Sequence, residues 1–171
     1  AQLSAISEQI ILHGKNRKGL LGDLVEEYLY DIENNSNAAA DFPDAGVELK
    51  VTPLKKHAKK KYVAKERLVF SMINYMNVVN EEWETSSFLE KNKLLLLMFY
   101  LYEQDIDITN YKFKLIHILN LLSHISNEDI LQIKKDWQTI IDKIKVGDAH
   151  LLSEGDTLYL GAATKASKAT D

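Results

Sequence analysis

Three acids and one lysine fall within the ten-residue stretch DFPDAGVELK, residues 41–50. They are Asp41, Asp44, Glu48 and Lys50. Carboxylates held 4 Å apart repel by about 4 kcal/mol at an effective dielectric of roughly 20, so such a cluster favours a bound cation. The chain has no cysteine and no H-x-x-x-H spacing, and ligation by oxygen alone favours Mg²⁺ over Zn²⁺. A neighbouring lysine can stabilise charge developing on a phosphate, or help to position or deprotonate an attacking water.

A strongly basic segment follows, KKHAKKKYVAKER, from Lys55 to Arg67. It carries seven Lys or Arg residues against one acid, Glu66. The net charge of the chain is -4, which argues against a wholly basic nucleic-acid binder, yet a local basic cluster is the footprint of a polyanion-binding surface. The alternative is a solvated loop. Taken together, the metal-binding acids, the lysine and the basic segment indicate phosphodiester cleavage.

A predicted strand holds Glu48 and Lys50. In VELKVT, residues 47–52, apolar and polar residues alternate, so Val47, Leu49 and Val51 share one face of the strand. Glu48 and Lys50 then share the opposite face, although a bare E-x-K pair is also typical of an ordinary solvent-facing strand. Upstream, leucines recur at helical spacing from Leu20 to Leu29 and predict an amphipathic helix of about three turns.

Further elements predict a mixed α/β domain. The apolar runs at 67–75 and 94–103 have the composition of buried strands, and 111–122 fits either a strand or a helix. Ser126 and Asp129 form a capping signal for a helix that ends before Gly147, and DTLYLGAAT, residues 156–164, predicts a last short strand.

Length and composition set the remaining bounds. A chain of 171 residues with 46% apolar composition suits one domain with a real core. No apolar run reaches the length of a membrane span, and no signal-peptide pattern is visible. The absence of cysteine excludes disulfides. We therefore expect a soluble protein of the cytoplasm that does not associate with membranes.

DFPDAGVELK resembles the active-site signature of the MutH mismatch-repair endonuclease and of the larger MutH-like type II restriction endonucleases that recognise GATC. These enzymes belong to the PD-(D/E)XK superfamily. Four further segments agree in order, so that the resemblance covers roughly residues 15–168: KGLLGDLVEEYL, KERLVFSMINY, WETSSFLEKNK and GDAHLLSEGDTLYLGAATKAS. The resemblance implies the restriction-endonuclease-like fold, a central mixed β-sheet flanked by helices.

The resemblance also assigns the active site. It places the metal-binding acids at Asp41 and Glu48 and the catalytic lysine at Lys50, and it leaves Asp44 as a turn residue. It places a further active-site acid at Glu26, which otherwise fits a solvated helix position just beyond the apolar stripe. Lys93, in EKNK, matches a second active-site lysine.

DNA-binding positions follow from the resemblance and from the basic segment. Lys18 matches a lysine that contacts DNA, and Lys165 matches the lysine that reads the recognition sequence. Relatives carry an arginine just upstream of that lysine where this chain has Gly161 or Ala162, so the details of base reading stay open. The basic segment contributes the remaining expected DNA contacts, at Lys59, Lys60, Lys61, Lys65 and Arg67.

The sequence thus predicts a Mg²⁺-dependent type II restriction endonuclease that cuts double-stranded DNA at GATC. Two alternatives remain: a nicking endonuclease of mismatch repair, and a catalytically inactive DNA-binding or allosteric module. The intact Asp41, Glu48 and Lys50 argue against the inactive module. The larger relatives carry a second related domain that is not seen here, so we expect a single MutH-like domain over residues 1–171, truncated at its C-terminal end. A second bound DNA copy or a homodimer stays open.

Overall fold

A computed structural model describes residues 19–32 and 39–163 of the chain. These residues form two compact units. The first contains residues 19–32, 39–70 and 91–119, and the second contains 71–90 and 120–163. No helix among the described residues is both long and apolar enough to cross a membrane.

The first unit is built on a four-stranded sheet. Its strands have the order β2-β1-β3-β4, with β1 and β2 antiparallel and β1 and β3 parallel, so the sheet is mixed. One helix precedes the strands. The elements are α1 (Leu20–Tyr30), β1 (Glu48–Lys56), β2 (Tyr62–Ala64), β3 (Leu94–Leu101) and β4 (Lys112–Asn120).

Helix α1 packs against the apolar face of β1, as the alternation of residues 47–52 predicts. Leu49, Met98 of β3 and Val25 of α1 form one buried cluster, with Val51 and Leu96 partly buried beside it. The parallel pairing of β1 with β3 sets Glu48 opposite Leu95 and continues to Leu54 opposite Leu101. This packing confirms the predicted α/β class, a central mixed sheet flanked by a helix, and it fixes the face on which Glu48 and Lys50 stand.

The second unit is built on the long helix α4 (Asn127–Lys145). Ser126 caps its start by accepting a hydrogen bond from the Asp129 N–H at 3.1 Å, as predicted, and the helix ends before Gly147. Trp137 of α4 lies with its ring centroid 5.7 Å from that of Trp83. The described residues also form two shorter α-helices, α2 (Tyr75–Val78) and α3 (Ser87–Asn92).

Two predicted strands are wrong. Residues 68–74 have no regular secondary structure, and their apolar side chains are largely exposed, with Val69 at 76% and Met72 at 77%. The described part of the segment 156–164 likewise forms no strand. There the backbone N–H groups of Leu158, Tyr159 and Leu160 bond to the carboxylate of Asp136 instead of to a neighbouring strand.

Candidate active site

A tight turn brings Asp41 and Glu48 together although seven positions separate them. Phe42 and Val47 exchange two backbone hydrogen bonds of 2.9 and 3.2 Å, which closes the loop between them. Pro43 suits the second position of the turn, where its fixed φ is favourable, and Gly46 adopts a φ of +63° that few other residues tolerate. Asp44 lies exposed in this turn.

Reciprocal hydrogen bonds then lock the two acids in place. The backbone N–H of Asp41 donates to Oε2 of Glu48 at 3.3 Å, and the N–H of Leu49 donates to Oδ2 of Asp41 at 2.8 Å. Each carboxylate is therefore oriented by the backbone next to the other. Asp41 and Glu48, with six residues between them in the sequence pattern D-x6-E, are therefore held next to each other as a pair of carboxylates.

Two lysines face the Glu48 carboxylate. Lys50 stands on the same face of β1, and its Nζ lies 2.6 Å from Oε1 of Glu48. The Nζ of Lys91, in α3, lies 3.6 Å from the same oxygen. The Glu48 residue is only 2% exposed. Burial raises the pKa of the Glu48 carboxyl, whereas the hydrogen bond and positive charge of Lys50 oppose that shift.

Glu26 of α1 belongs to the same electrostatic site. Its pKa is raised to about 7, first because the carboxyl is partly buried and then because Asp41 and Asp23 are negatively charged. The charge of Lys50 acts in the opposite direction, and Glu48 adds to the increase. The Glu26 carboxyl is therefore close enough to these acids for their charges to act on it.

This donor set fits Mg²⁺. Three acids, Glu26, Asp41 and Glu48, face two lysines, so the ionised site carries an excess of negative charge. In the described part of the chain, no group of three His, Asp or Glu residues is arranged to hold an ion unaided. Mg²⁺ suits such a partial site, since it commonly takes one or two carboxylates and fills its remaining positions with water and phosphate oxygens. A site for Zn²⁺, which prefers four protein or water ligands that include His or Cys, does not match.

We expected the second lysine of this site at Lys93, whereas the structure places Lys91 beside Glu48. Lys93 follows the last residue of α3 and is exposed, whereas Lys91 lies within the helix and reaches Glu48. The two lysines are separated by a single buried residue, Asn92. The end of the helix was the signal that could have distinguished them, because a residue beyond the last turn no longer shares the direction of the helical side chains.

The expected DNA-binding lysines are not all near the acids. Lys59, Lys60 and Lys61 lie exposed in the connection between β1 and β2, at the opposite end of β1 from Glu48. Lys65 follows β2, with its Nζ 4.3 Å from the ring centroid of Tyr102, and Arg67 is exposed two residues later. The remaining two expected contacts lie outside the described residues: Lys18 and Lys165.

A mixed α/β sheet that carries paired acids and a lysine at the start of a central strand defines the class of this protein, the restriction-endonuclease-like fold. The sequence model of the family described as "DNA mismatch repair enzyme MutH" matches residues 30–136, more than half of the chain. The chain therefore belongs to the MutH family.

One curated relative is the type II restriction enzyme Sau3AI of Staphylococcus aureus. The chain is 42% identical to it over 156 residues, which are 91% of this chain and 31% of Sau3AI. The chain thus spans about a third of the length of the relative that it matches.

Proposed function

We propose that this chain carries the catalytic centre of a Mg²⁺-dependent type II restriction endonuclease that hydrolyses double-stranded DNA at GATC. The observation that carries this proposal is the site in which Asp41, Glu48 and Lys50 are held together by hydrogen bonds of 2.6 to 3.3 Å. The likeness to Sau3AI over 91% of the chain supports the restriction role. GATC rests on the resemblance of the signature segments.

Hydrolysis forms one bond from the water oxygen to phosphorus and breaks one ester P–O bond, and negative charge grows on the phosphate oxygens. The Lys50 ammonium, fixed 2.6 Å from Glu48, is placed to stabilise that charge, and Lys91 adds a second cation on the same carboxylate. The proton released by the attacking water passes to solvent or to a basic group of the site, and the leaving oxygen takes up a proton. Preorganised charges of this kind lower the barrier because they need not reorient during the reaction.

Asp41 and Glu48 would hold the Mg²⁺ ion, with Glu26 completing the acidic site. When bound, the ion polarises the phosphate and lowers the pKa of a coordinated water. The residues of the chain keep the donors in position before the ion arrives. The backbone bonds at Asp41 and Leu49 serve this purpose, since they fix both carboxylates without using a side chain.

A second candidate function is nicking of one strand at GATC, as in mismatch repair. The match to the MutH family model over residues 30–136 favours it. Both functions use the same acids and lysines, so the site geometry does not separate them. The products of the reaction do.

The test is incubation of the protein with a plasmid carrying mapped GATC sites, in Mg²⁺ and in EDTA, at low and moderate salt. The restriction proposal predicts Mg²⁺-dependent double-strand fragments whose ends map to GATC. Nicked circles that never become linear would support the repair-type enzyme. Retained binding of DNA without any cleavage would contradict both and favour the inactive DNA-binding module.

A further inference from the structure

The end of β1 and the connection from it to β2 form a basic hairpin tip, which we define as residues 55–61. All seven residues are exposed, and five of them are lysines. The imidazole Nδ1 of His57 accepts hydrogen bonds from the N–H groups of Lys59 and Lys60, both at 3.2 Å, which orders the turn. Lys59, Lys60 and Lys61 form no ion pair with any acid of the described residues, whereas Lys56 pairs with Glu103 at 3.0 Å.

Strand β1 sets the distance from this tip to the candidate active site. Lys56 lies eight residues after Glu48 along one uninterrupted strand. A strand rises about 3.3 Å per residue, so the tip lies roughly 26 Å from the paired acids. Pairing of Glu48–Leu54 with Leu95–Leu101 keeps the strand regular over most of that length. The lysines of the tip are therefore too far away to touch the phosphate that is cleaved.

Aromatic rings hold two cations at the base of the tip. Lys65 lies over the ring of Tyr102 at 4.3 Å, and Lys61 lies 5.7 Å from the ring centroid of Tyr62. Such contacts limit the motion of a lysine while leaving its ammonium group charged. The tip thus presents exposed lysines of one charge sign, a surface that suits a polyanion.

We propose that the basic hairpin tip binds the backbone of the same DNA duplex at a point about eight base pairs from the cleaved bond. This inference rests on the proposed nuclease function. With β1 lying along the duplex axis, as the proposal requires, 26 Å corresponds to about eight base pairs of B-form DNA at about 3.4 Å per base pair. The tip contacts phosphates, so it adds affinity for flanking DNA of any sequence and leaves the choice of GATC to other residues. A duplex that ends about three base pairs from the site extends at most about seven base pairs from any bond within it, so it ends short of this contact.

The experiment measures binding in EDTA, by fluorescence anisotropy, to a duplex of about 10 base pairs and one of about 30 base pairs, each with one central GATC. We expect the longer duplex to bind the natural chain at least about tenfold more tightly. The variant K59A/K60A/K61A should lose most of that gain. Its slope of log affinity against log salt on the longer duplex should fall by about 2 to 3, since each neutralised phosphate contributes about 0.9.

Three exposed lysines elsewhere provide a matched control, in the variant K112A/K114A/K135A. It removes the same charge and should keep both the length dependence and the salt slope. A charge-conserving variant, K59R/K60R/K61R, should keep the gain as well. If the affinity of the K59A/K60A/K61A variant depended on duplex length as strongly as that of the natural chain, the inference would be overturned.

Cleavage of the same two duplexes in Mg²⁺ separates this inference from the proposed function. Cutting at GATC without any effect of the tip lysines would leave the function standing and reject the flanking contact. Length-dependent binding that needs the tip lysines, with no cleavage, would support the contact and reject the nuclease. Absence of both binding and cleavage would reject both.

Discussion

The Nζ of Lys91 lies 3.6 Å from Oε1 of Glu48, the same oxygen that Lys50 approaches to 2.6 Å. One nearly buried carboxylate is thus shared by two cations from different elements, a strand and a helix. Removing either cation leaves the other to balance the acids. The two lysines therefore lie at different distances from Oε1 of Glu48, but both stabilise the same carboxylate charge.

Replacing Lys91 by alanine should lower the rate of cleavage, whereas replacing Lys93 should change it little. Loss of a preorganised cation that stabilises developing charge typically costs about 10² to 10³ in rate. Lys93 is exposed and its change removes the same formal charge from the same segment, so it is a matched control. Single-turnover cleavage of a GATC duplex in Mg²⁺ checks the prediction. A larger loss of cleavage rate for Lys93→Ala than for Lys91→Ala would show that Lys91 is not the second active-site lysine.

Asp41→Ala and Glu48→Ala should abolish cleavage while the protein stays folded. Each removes an oxygen donor proposed to hold Mg²⁺, and each also breaks one hydrogen bond of the reciprocal pair. Asp44→Ala, in the exposed turn between them, should remain active. Circular dichroism and thermal melting establish that the variants fold, and plasmid cleavage measures activity. A fully active Asp41→Ala variant would exclude this acid from the site.

Glu26 should make the protein less stable as the pH rises from about 4.5 to about 7. The carboxyl has an ordinary pKa of 4.5 and a folded pKa of about 7, so the folded state binds more protons over this interval and the free energy of unfolding falls. Glu26→Gln stays neutral and should lack that loss. A shift of this size corresponds to about 3 kcal/mol at most, and partial solvent exposure reduces it to about 1 to 2 kcal/mol.

Urea unfolding in EDTA at pH 5 and pH 8 measures this effect. The free energy of unfolding of Glu26→Gln, minus that of the natural chain, should be larger at pH 8 than at pH 5. Glu27→Gln, an exposed neighbour on the same helix, serves as the control and should show no such difference. Identical pH profiles for the natural chain and Glu26→Gln would mean that the Glu26 carboxyl does not lie among the other acids when the protein is in solution.

Local patterns in the sequence predicted the elements that hold the acids. Alternation in residues 47–52 predicted β1, because a strand with one apolar face and one polar face has a period of two. Helical spacing predicted α1 and α4, and Ser126 predicted the start of α4. Each of these signals lies within a short segment, so no distant contact was needed to read it.

The errors arose where distant contacts decide the structure. The apolar run 67–75 reads as a buried strand, yet no described strand pairs with it, and Met72 is 77% exposed. A short apolar run does not distinguish a strand from an irregular segment. The match of EKNK pointed to Lys93, and nothing local to that segment shows that Lys91 lies beside Glu48. The raised pKa of Glu26 comes first from burial and then from the charge of Asp41, which is distant in sequence, so no local pattern reports it.

Asp136 explains why the predicted strand at 156–164 does not form, and it provides the last prediction. The residue is only 2% exposed, and its carboxylate accepts backbone hydrogen bonds from Leu158 at 3.3 Å, Tyr159 at 2.6 Å and Leu160 at 3.0 Å. The amide of Gln132 donates a further bond of 2.7 Å. Burial acts to raise the pKa of Asp136, but these donors outweigh it and hold the pKa below its ordinary value.

Asp136→Asn should therefore lower the free energy of unfolding of the second unit by about 2 to 3 kcal/mol, since an amide cannot accept all four bonds and leaves buried donors unsatisfied. Because the folded pKa of Asp136 lies below the unfolded value of 3.8, its contribution is present above pH 3.8 and is lost as the pH falls through the folded value. Both tryptophans, Trp83 and Trp137, lie in this unit, so their fluorescence during urea unfolding reports it. Asp142→Asn, an exposed change on the same helix, is the control. Equal losses for the two variants would show that Asp136 does not anchor residues 158–160.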